Sequence, residues 1–247
     1  QMWENAATKR NVSIITQDGI AISGPESGEQ ACGDEGMGRF INDKMLLLDI
    51  QKSLKTPILK NKNILISCGA TFEKIDDARA ITNLSSGKMG FSIVNEAYAL
   101  GANVTLIYGR TETLPPSGIK SFYAPNHKMM NKLIKKNAKD NDIFISVAAI
   151  SDYLPKKVSG KLKKHNDKLI LELQKSSDIL LETSLEFDNL FCVGFSAESK
   201  EIIKNAQDKL KKKNLNMIIA NSINKSMGED SAEIYIIDKN EVIHVPK

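Results

Sequence analysis

Residues 63–108 read NILISCGATFEKIDDARAITNLSSGKMGFSIVNEAYALGANVTLIY, with apolar runs at 63–68 and 103–108 around a polar loop and a helical segment. Neither run alternates cleanly, which is how strands buried on both faces read. The segment 88–100 has helical spacing and is closed by Gly101, a common C-cap residue. Strand, loop, helix and strand in that order predict a parallel pair joined by a right-handed crossover.

The same signature continues downstream. Apolar runs at 142–147, 190–195 and 216–220 alternate with helical segments at 126–138, 177–186 and 198–213. The fold class expected is α/β: a Rossmann-like, open, mostly parallel sheet with helices on both faces. AEIYIID followed by KNEVIHV, around residue 239, predicts a C-terminal antiparallel hairpin. Upstream of about residue 60 the character changes to the glycine-rich SGPESGEQACGDEGMGRF, a helical INDKMLLLDIQKSL and a lysine-rich TPILKNKN. That stretch is too short for a core of its own, so it is expected to dock on a neighbour or to be the tail of a larger domain, dividing the chain into 1–60 and 61–247.

Composition excludes more than it selects. With 247 residues, 41% of them hydrophobic, the chain can bury one sizeable core or one core and an appendage. The net charge of +4 comes from interleaved signs and makes no case for a nucleic-acid or membrane partner. Cys32, Cys68 and Cys192 are widely spaced without CxxC, which argues against a disulfide framework or a zinc site and suits a reducing, cytoplasmic setting. No apolar run reaches the roughly 20 residues of a spanning helix, the start QMWENAATKRN is not a signal peptide, and the missing initiator Met suggests a fragment.

Ligands of an open parallel sheet bind beyond the carboxyl ends of its strands. The loops there are CGATFEKIDDARAITNLSSGKMG, VAAISDYLPKK and GFSAES. ITNLSSGKMG is neither a Walker loop, since Thr82 and Met89 occupy positions that need Gly and Ser or Thr, nor a GxGxxG fingerprint. Asn83, Ser85, Ser86, Gly87 and Lys88 remain at a helix start, where N–H groups and the dipole favour an anion. The plainer reading, a Ser85 or Ser86 cap, stays open. Lys161, Lys163 and Lys164 follow Lys156 and Lys157 in a basic segment, read either as a solvated surface or as a flexible flap over a polyphosphate. Lys209 and Lys213 share a helix face near its C-terminal end, where lysines also simply suit the helix dipole; Asp152 suits a metal or a ribose, and Asp178 suits a helix cap. His127 and His165 have no spaced partners, so neither reads as a ligand or triad member.

These stretches together resemble the phosphopantothenate-cysteine ligase half of the bacterial bifunctional coenzyme A biosynthesis flavoprotein. The resemblance runs from Asn63 onward and rests on CGAT-x-E-x-ID-x-x-R-x-ITNLSSGKMG, on AAISDY followed by KLKK, and on GFSAES followed by NA-x-x-KL-x-x-KN-L and IIAN. It implies an enzyme in which the carboxylate of 4'-phosphopantothenate attacks the α-phosphate of CTP. Pyrophosphate leaves, and the amine of L-cysteine then displaces CMP from the acyl cytidylate. It implies Mg2+ with the CTP, metal ligands unassigned, and a homodimer formed through the ligase domain. By motif, Asn83 handles the acyl cytidylate and Lys161, on the flap, turns it over. Ser146, Val147, Ala148, Asp152, Lys161, Ser176, Ser177, Asp178, Ile179, Phe195, Lys209 and Lys213 match nucleotide-contacting positions, and Ser85 to Lys88 form the phosphate loop.

MWENAATKRN and GEQACGDEGMGRF resemble the C-terminal tail of the partner decarboxylase domain, where Cys32 would be the proton donor. FMN is then expected only in the complete bifunctional protein. Some positions depart from the family. Ser176-Ser177 stand where Asn-Pro is common, GFSAES replaces GFAAET, Lys74 and Asp77 stand where proline is frequent, and the usual C-terminal helix is missing. The chief rival, a dinucleotide-dependent oxidoreductase, needs a glycine fingerprint that neither candidate loop supplies. A nucleic-acid module would need aromatics interleaved with the lysine runs.

Overall fold

The computed structural model describes residues 2–30, 33–163, 169–222 and 231–247. Helix α1 (Ala6–Gln17) starts at an Asn5 cap and buries none of its residues. A hairpin of β1 (Glu26–Glu29) and β2 (Glu35–Arg39), unforeseen in the glycine-rich stretch, comes next. Helix α2 (Asp43–Leu54) has an Asn42 cap and Asp43 in its first turn, where the helix dipole favours a negative charge. Its Met45 and Leu48 join Ile41 in a small cluster against Tyr98, so this segment does dock through α2.

The sheet opens with β3 (Asn63–Cys68), and a short antiparallel pair, β4 (Phe72–Lys74) and β5 (Ala80–Thr82), folds out of the loop behind it. Then come α3 (Lys88–Ala99), β6 (Asn103–Tyr108), β7 (Lys120–Tyr123), α4 (His127–Ala138) and β8 (Ile143–Ser146). A second small pair, β9 (Tyr153–Pro155) with β10 (Leu173–Lys175), precedes α5 (Ile179–Glu186). The chain continues through β11 (Phe191–Glu198), α6 (Ile202–Lys212), β12 (Met217–Ser222), β13 (Ile234–Ile237) and β14 (Val242–Val245).

Eight strands form one sheet in the order β14-β13-β12-β11-β8-β3-β6-β7. From β7 to β12 every pair is parallel, and β13 and β14 add the expected antiparallel hairpin. Taken in chain order the parallel strands run 3-2-1-4-5-6, the doubly wound arrangement whose ligand crevice opens where the order reverses. That reversal lies between β3 and β8.

Alternation along the strands explains the continuous apolar runs. Leu65, Ile107, Phe144 and Ile218 face one core with Met130 and Ile134 of α4, Ile179 of α5 and Leu210 of α6. Ile64, Ile66 and Leu106 face the other, with Phe91 and Val94 of α3. Each fully buried side chain of this size stabilises the fold by about 1.5–3 kcal/mol relative to exposure. Gly90 lets α3 lie close on β3, since a Cβ there would stand 2.1 Å from Cys68 Cβ. The largest boundary differences lie at the end of β11 and the start of α6. Strand β11 runs on to Glu198 because β12 pairs with it in register as far as Glu198↔Ser222, and α6 therefore starts at Ile202 rather than 198.

Candidate functional site

The reversal point is laced together by backbone and hydroxyl groups. Ala149 N donates to Gly69 O at 2.8 Å and Thr71 N donates to Ala149 O at 3.2 Å, extending the β3–β8 pairing past the strand ends. Buried Thr71 takes a bond from Ser151 N through its hydroxyl at 3.0 Å. Thr82 Oγ1 donates to Thr71 O at 2.8 Å, which holds the end of β5 against this seam. Asn83 follows directly. Its Nδ2 donates to Ala149 O at 3.0 Å, which orients an otherwise exposed amide over the end of β8. Ser146, Val147 and Ala148 directly precede the residue whose carbonyl holds Asn83.

The mouth of α3 is built on Gly87, which is its N-cap at φ 82° with no side-chain cap bond. Lys88 N donates to Ser86 Oγ at 3.4 Å, a long bond, so Ser86 meets one N–H of the helix start although Gly87 is the N-cap residue. Ser86 O accepts from Glu112 N at 3.1 Å, which fixes the loop to the segment after β6. Ser85 is half-buried and Lys88 exposed. A helix start of this kind aims N–H groups and the positive dipole end outward.

The lysines of α6 are engaged instead with carboxylates. Lys209 Nζ lies 2.5 Å from Glu198 Oε1 and donates to Ser196 Oγ at 3.0 Å. Burial pushes the Glu198 carboxyl up, but the bonds from Lys209 and Ser196 and the Lys209 charge outweigh it and leave the group below its usual value. Lys213 Nζ pairs with Asp178 Oδ2 at 2.9 Å. Asp178 also caps α5 by accepting from Leu181 N at 3.1 Å, and Ile179 is the first residue of that helix, buried in the core. Phe195 points to the other face of the sheet from its neighbour Ser196, so the candidates on β11 and α6 do not share one face.

Residues 176–178 are held from several sides. Ser176 Oγ donates to Ser151 O and Ser176 N to Asp152 O, both at 2.8 Å, which ties this loop to the exposed Asp152. The Ser177 side chain bonds Glu182, and Ser177 O accepts from His127 Nε2 at 2.8 Å. His127, set aside on spacing, therefore supports the loop. Its own backbone N donates to buried Glu73 at 2.7 Å. No sequence signal marks this link, which spans 50 residues.

Lys161 is exposed and stands between Gly160 and Leu162, whose backbones are bonded to residues 76–79. The stretch expected to be loose is thus tethered on both sides of this lysine. Cys32, Lys164 and His165 lie outside the described residues. Burial pushes the Cys68 thiol up to about 12 and the Cys192 thiol to about 11, so both stay protonated at neutral pH. Among the described residues no three or more His, Cys, Asp and Glu side chains converge on a metal position, and no helix is long and apolar enough to cross a membrane. A cavity of about 400 Å³, lined by residues including Asn63, Asn103 and Lys120, opens at the amino ends of the strands, opposite this site.

Residues 59–247 match the family described as the DNA/pantothenate metabolism flavoprotein C-terminal domain. The Coenzyme A biosynthesis bifunctional protein CoaBC of Vibrio parahaemolyticus is 41% identical over 227 residues, covering 90% of this chain and 57% of that protein. Its Escherichia coli counterpart is 36% identical, covering 91% and 57%. The chain thus spans a little over half the length of these relatives. The crystal structure of the C-terminal domain of a CoaBC superposes with a TM-score of 0.66 at 35% identity, over 76% of this chain and 87% of that one. A Cab2 variant in complex with phosphopantothenate-cysteine shares the fold, with a TM-score of 0.63 at 18% identity over 82% and 84% of the two chains. The chain belongs to the DNA/pantothenate metabolism flavoprotein C-terminal domain family.

Proposed function

We propose that residues 61–247 form a phosphopantothenate-cysteine ligase that uses CTP. The observation that carries this reading is the orientation of Asn83 by Ala149 O at the strand-order reversal, beside a helix start whose N-cap residue is Gly87. Family membership and the identity to CoaBC proteins support it. In the first step the carboxylate oxygen of 4'-phosphopantothenate bonds to the α-phosphorus of CTP, and pyrophosphate leaves with the electron pair. In the second, the cysteine amine bonds to the acyl carbon, loses a proton, and CMP leaves with the electrons of the mixed anhydride bond.

Two anions must meet in the first step, so donors and cations have to offset their charge. The N–H groups at the start of α3 suit a phosphate. Lys209 and Lys213 suit the triphosphate once they exchange carboxylate for phosphate, and a backbone-held 176–178 loop suits the nucleotide's polar edge. Asn83 keeps a second N–H and its oxygen for the acyl cytidylate, and Lys161 brings positive charge to the same intermediate. Mg2+, bound through the phosphates of the nucleotide, would supply positive charge there. In this reading residues 1–60 are the tail of a decarboxylase domain with its linker, and the ligase domains pair as a homodimer. The test is incubation with 4'-phosphopantothenate, L-cysteine, Mg2+ and each nucleoside triphosphate in turn. CMP formed in step with phosphopantothenoylcysteine is expected from CTP, and no monophosphate from any nucleotide would overturn the proposal.

A further inference from the structure

Asp76 is a wholly buried carboxylate in a surface turn, an expensive placement unless every lone pair is used. Its two oxygens divide the work. Oδ1 accepts from Ala78 N at 2.8 Å and Arg79 N at 2.7 Å, which closes the turn between β4 and β5. Oδ2 faces outward from that turn, accepting from Leu162 N at 3.0 Å and pairing with Arg79 Nη2 at 2.9 Å. The same Nη2 donates to Leu162 O at 2.6 Å, so both backbone groups of Leu162 are held. Asp77 does the same for Gly160, whose N donates to Asp77 Oδ2 at 3.1 Å and whose O accepts from Asp77 N at 3.4 Å. Val158 N donates to Ile75 O at 2.9 Å. Lys161 is the residue left between two anchored neighbours.

We infer that Asp76 is a positioning residue, a clamp that fixes the backbone at Lys161 to the turn leading through β5 into Asn83. The turn alone needs only Oδ1, which an asparagine would supply. The second oxygen is required only because two donors, one from each segment, meet it. Through this clamp the two side chains assigned to the acyl intermediate are set at a common distance, although 78 positions separate them in the chain. The kinetic part of this inference rests on the ligase reading, while the clamp itself does not.

Asp76→Asn is the selective cut, because its Oδ1 keeps the turn while its NH2 meets the Leu162 N–H and the Arg79 guanidinium, donor against donor. Amide exchange at Gly160 and Leu162 should quicken by about tenfold or more, with Leu65 and Phe144 unchanged. Turnover to phosphopantothenoylcysteine should fall by about tenfold with the CTP KM within about twofold. In a Lys161→Gln background, which is itself slow, the same change should cost little more, since both act through one residue. Unchanged exchange at Leu162, or fully multiplicative losses in the double variant, would overturn the inference. Asp77→Ala, in the exposed part of the turn, covers the case in which Asp76→Asn does not fold. It should quicken Gly160 exchange alone, and no change there would also count against the clamp. If the native protein forms no CMP, the ligase reading fails, and the exchange results still decide the clamp.

Discussion

The two edges of the crevice proposed to meet phosphate are built in opposite ways. At the start of α3 the positive end consists of backbone N–H groups behind Gly87, a residue that brings no competing side chain. On α6 the positive charge is on Lys209 and Lys213, and each ammonium is already shared with a carboxylate, Glu198 or Asp178. A phosphate at α3 meets donors that need not move. A phosphate at α6 must displace an anion, and in return the lysines are held in place and their charge is offset when no phosphate is bound. Under the proposed function the first edge would give rigid recognition, and the second a charge that can be handed over.

Asn83→Asp should break the comparison most severely. It replaces the N–H that meets Ala149 O with an acceptor and puts a negative charge where the proposal has the intermediate. Overall turnover should fall by about a hundredfold or more while pyrophosphate release persists in a single-turnover assay. Equal loss of both would remove Asn83 from the second step. Gly87→Ala tests the rigid edge. At φ 82° an added Cβ is strained, and it would stand 2.6 Å from Thr111 Cγ2. A loss of about 1–3 kcal/mol in chemical denaturation is expected, with weakened phosphopantothenate binding. Glu198→Gln tests the exchangeable edge and should have the smallest effect, lowering the CTP KM by about two- to fivefold as Lys209 loses its competitor.

That last variant also has a pH signature. The folded Glu198 carboxyl sits below its ordinary value of 4.5. Its stabilising contribution is therefore fully present above that pH and is lost as the pH falls through the lower folded value. Glu198→Gln should lose less stability than the native protein on titration from pH 5 downward, read as a shallower fall in Tm. Parallel curves would mean that the pair contributes nothing to folding.

Much of the architecture was legible because it follows from local pattern. Runs such as NILISC and NVTLIY are apolar at consecutive positions, and only strands covered on both faces need that. The segment ahead of Gly101 has helical spacing and a C-cap, and the helix forms there. EKIDDARA is less legible. It holds the β4–β5 hairpin and the Asp76 turn, and although Ala78 and Arg79 close that turn locally, the donor that uses the second carboxylate oxygen, Leu162 N, comes from 86 positions downstream. KSFY was passed over as a strand for a related reason. β7 is an edge strand, half-exposed, with no apolar run to announce it.

The candidate site divides along the same line. Motif resemblance picked out Asn83, Lys161, Lys209 and Lys213 by name, since residue type and spacing are properties of the chain alone. Whether a lysine is paired, and with which carboxylate, depends on which strands lie side by side. The extension of β11 to Glu198 under the α6 helix decides that for Lys209. His127 is the sharpest case. No spaced partner is visible in sequence, and the packing of α4 beside residues 176–178 gives its imidazole one backbone oxygen to hold.

By itself, then, the sequence determined the alternation of strands and helices, the family to which residues 59–247 belong and the residue types available at the crevice, because periodicity and motif act over a few residues. Only the tertiary structure decided which of those residues share a hydrogen bond. Such bonds form over about 3 Å of space without regard to distance along the chain.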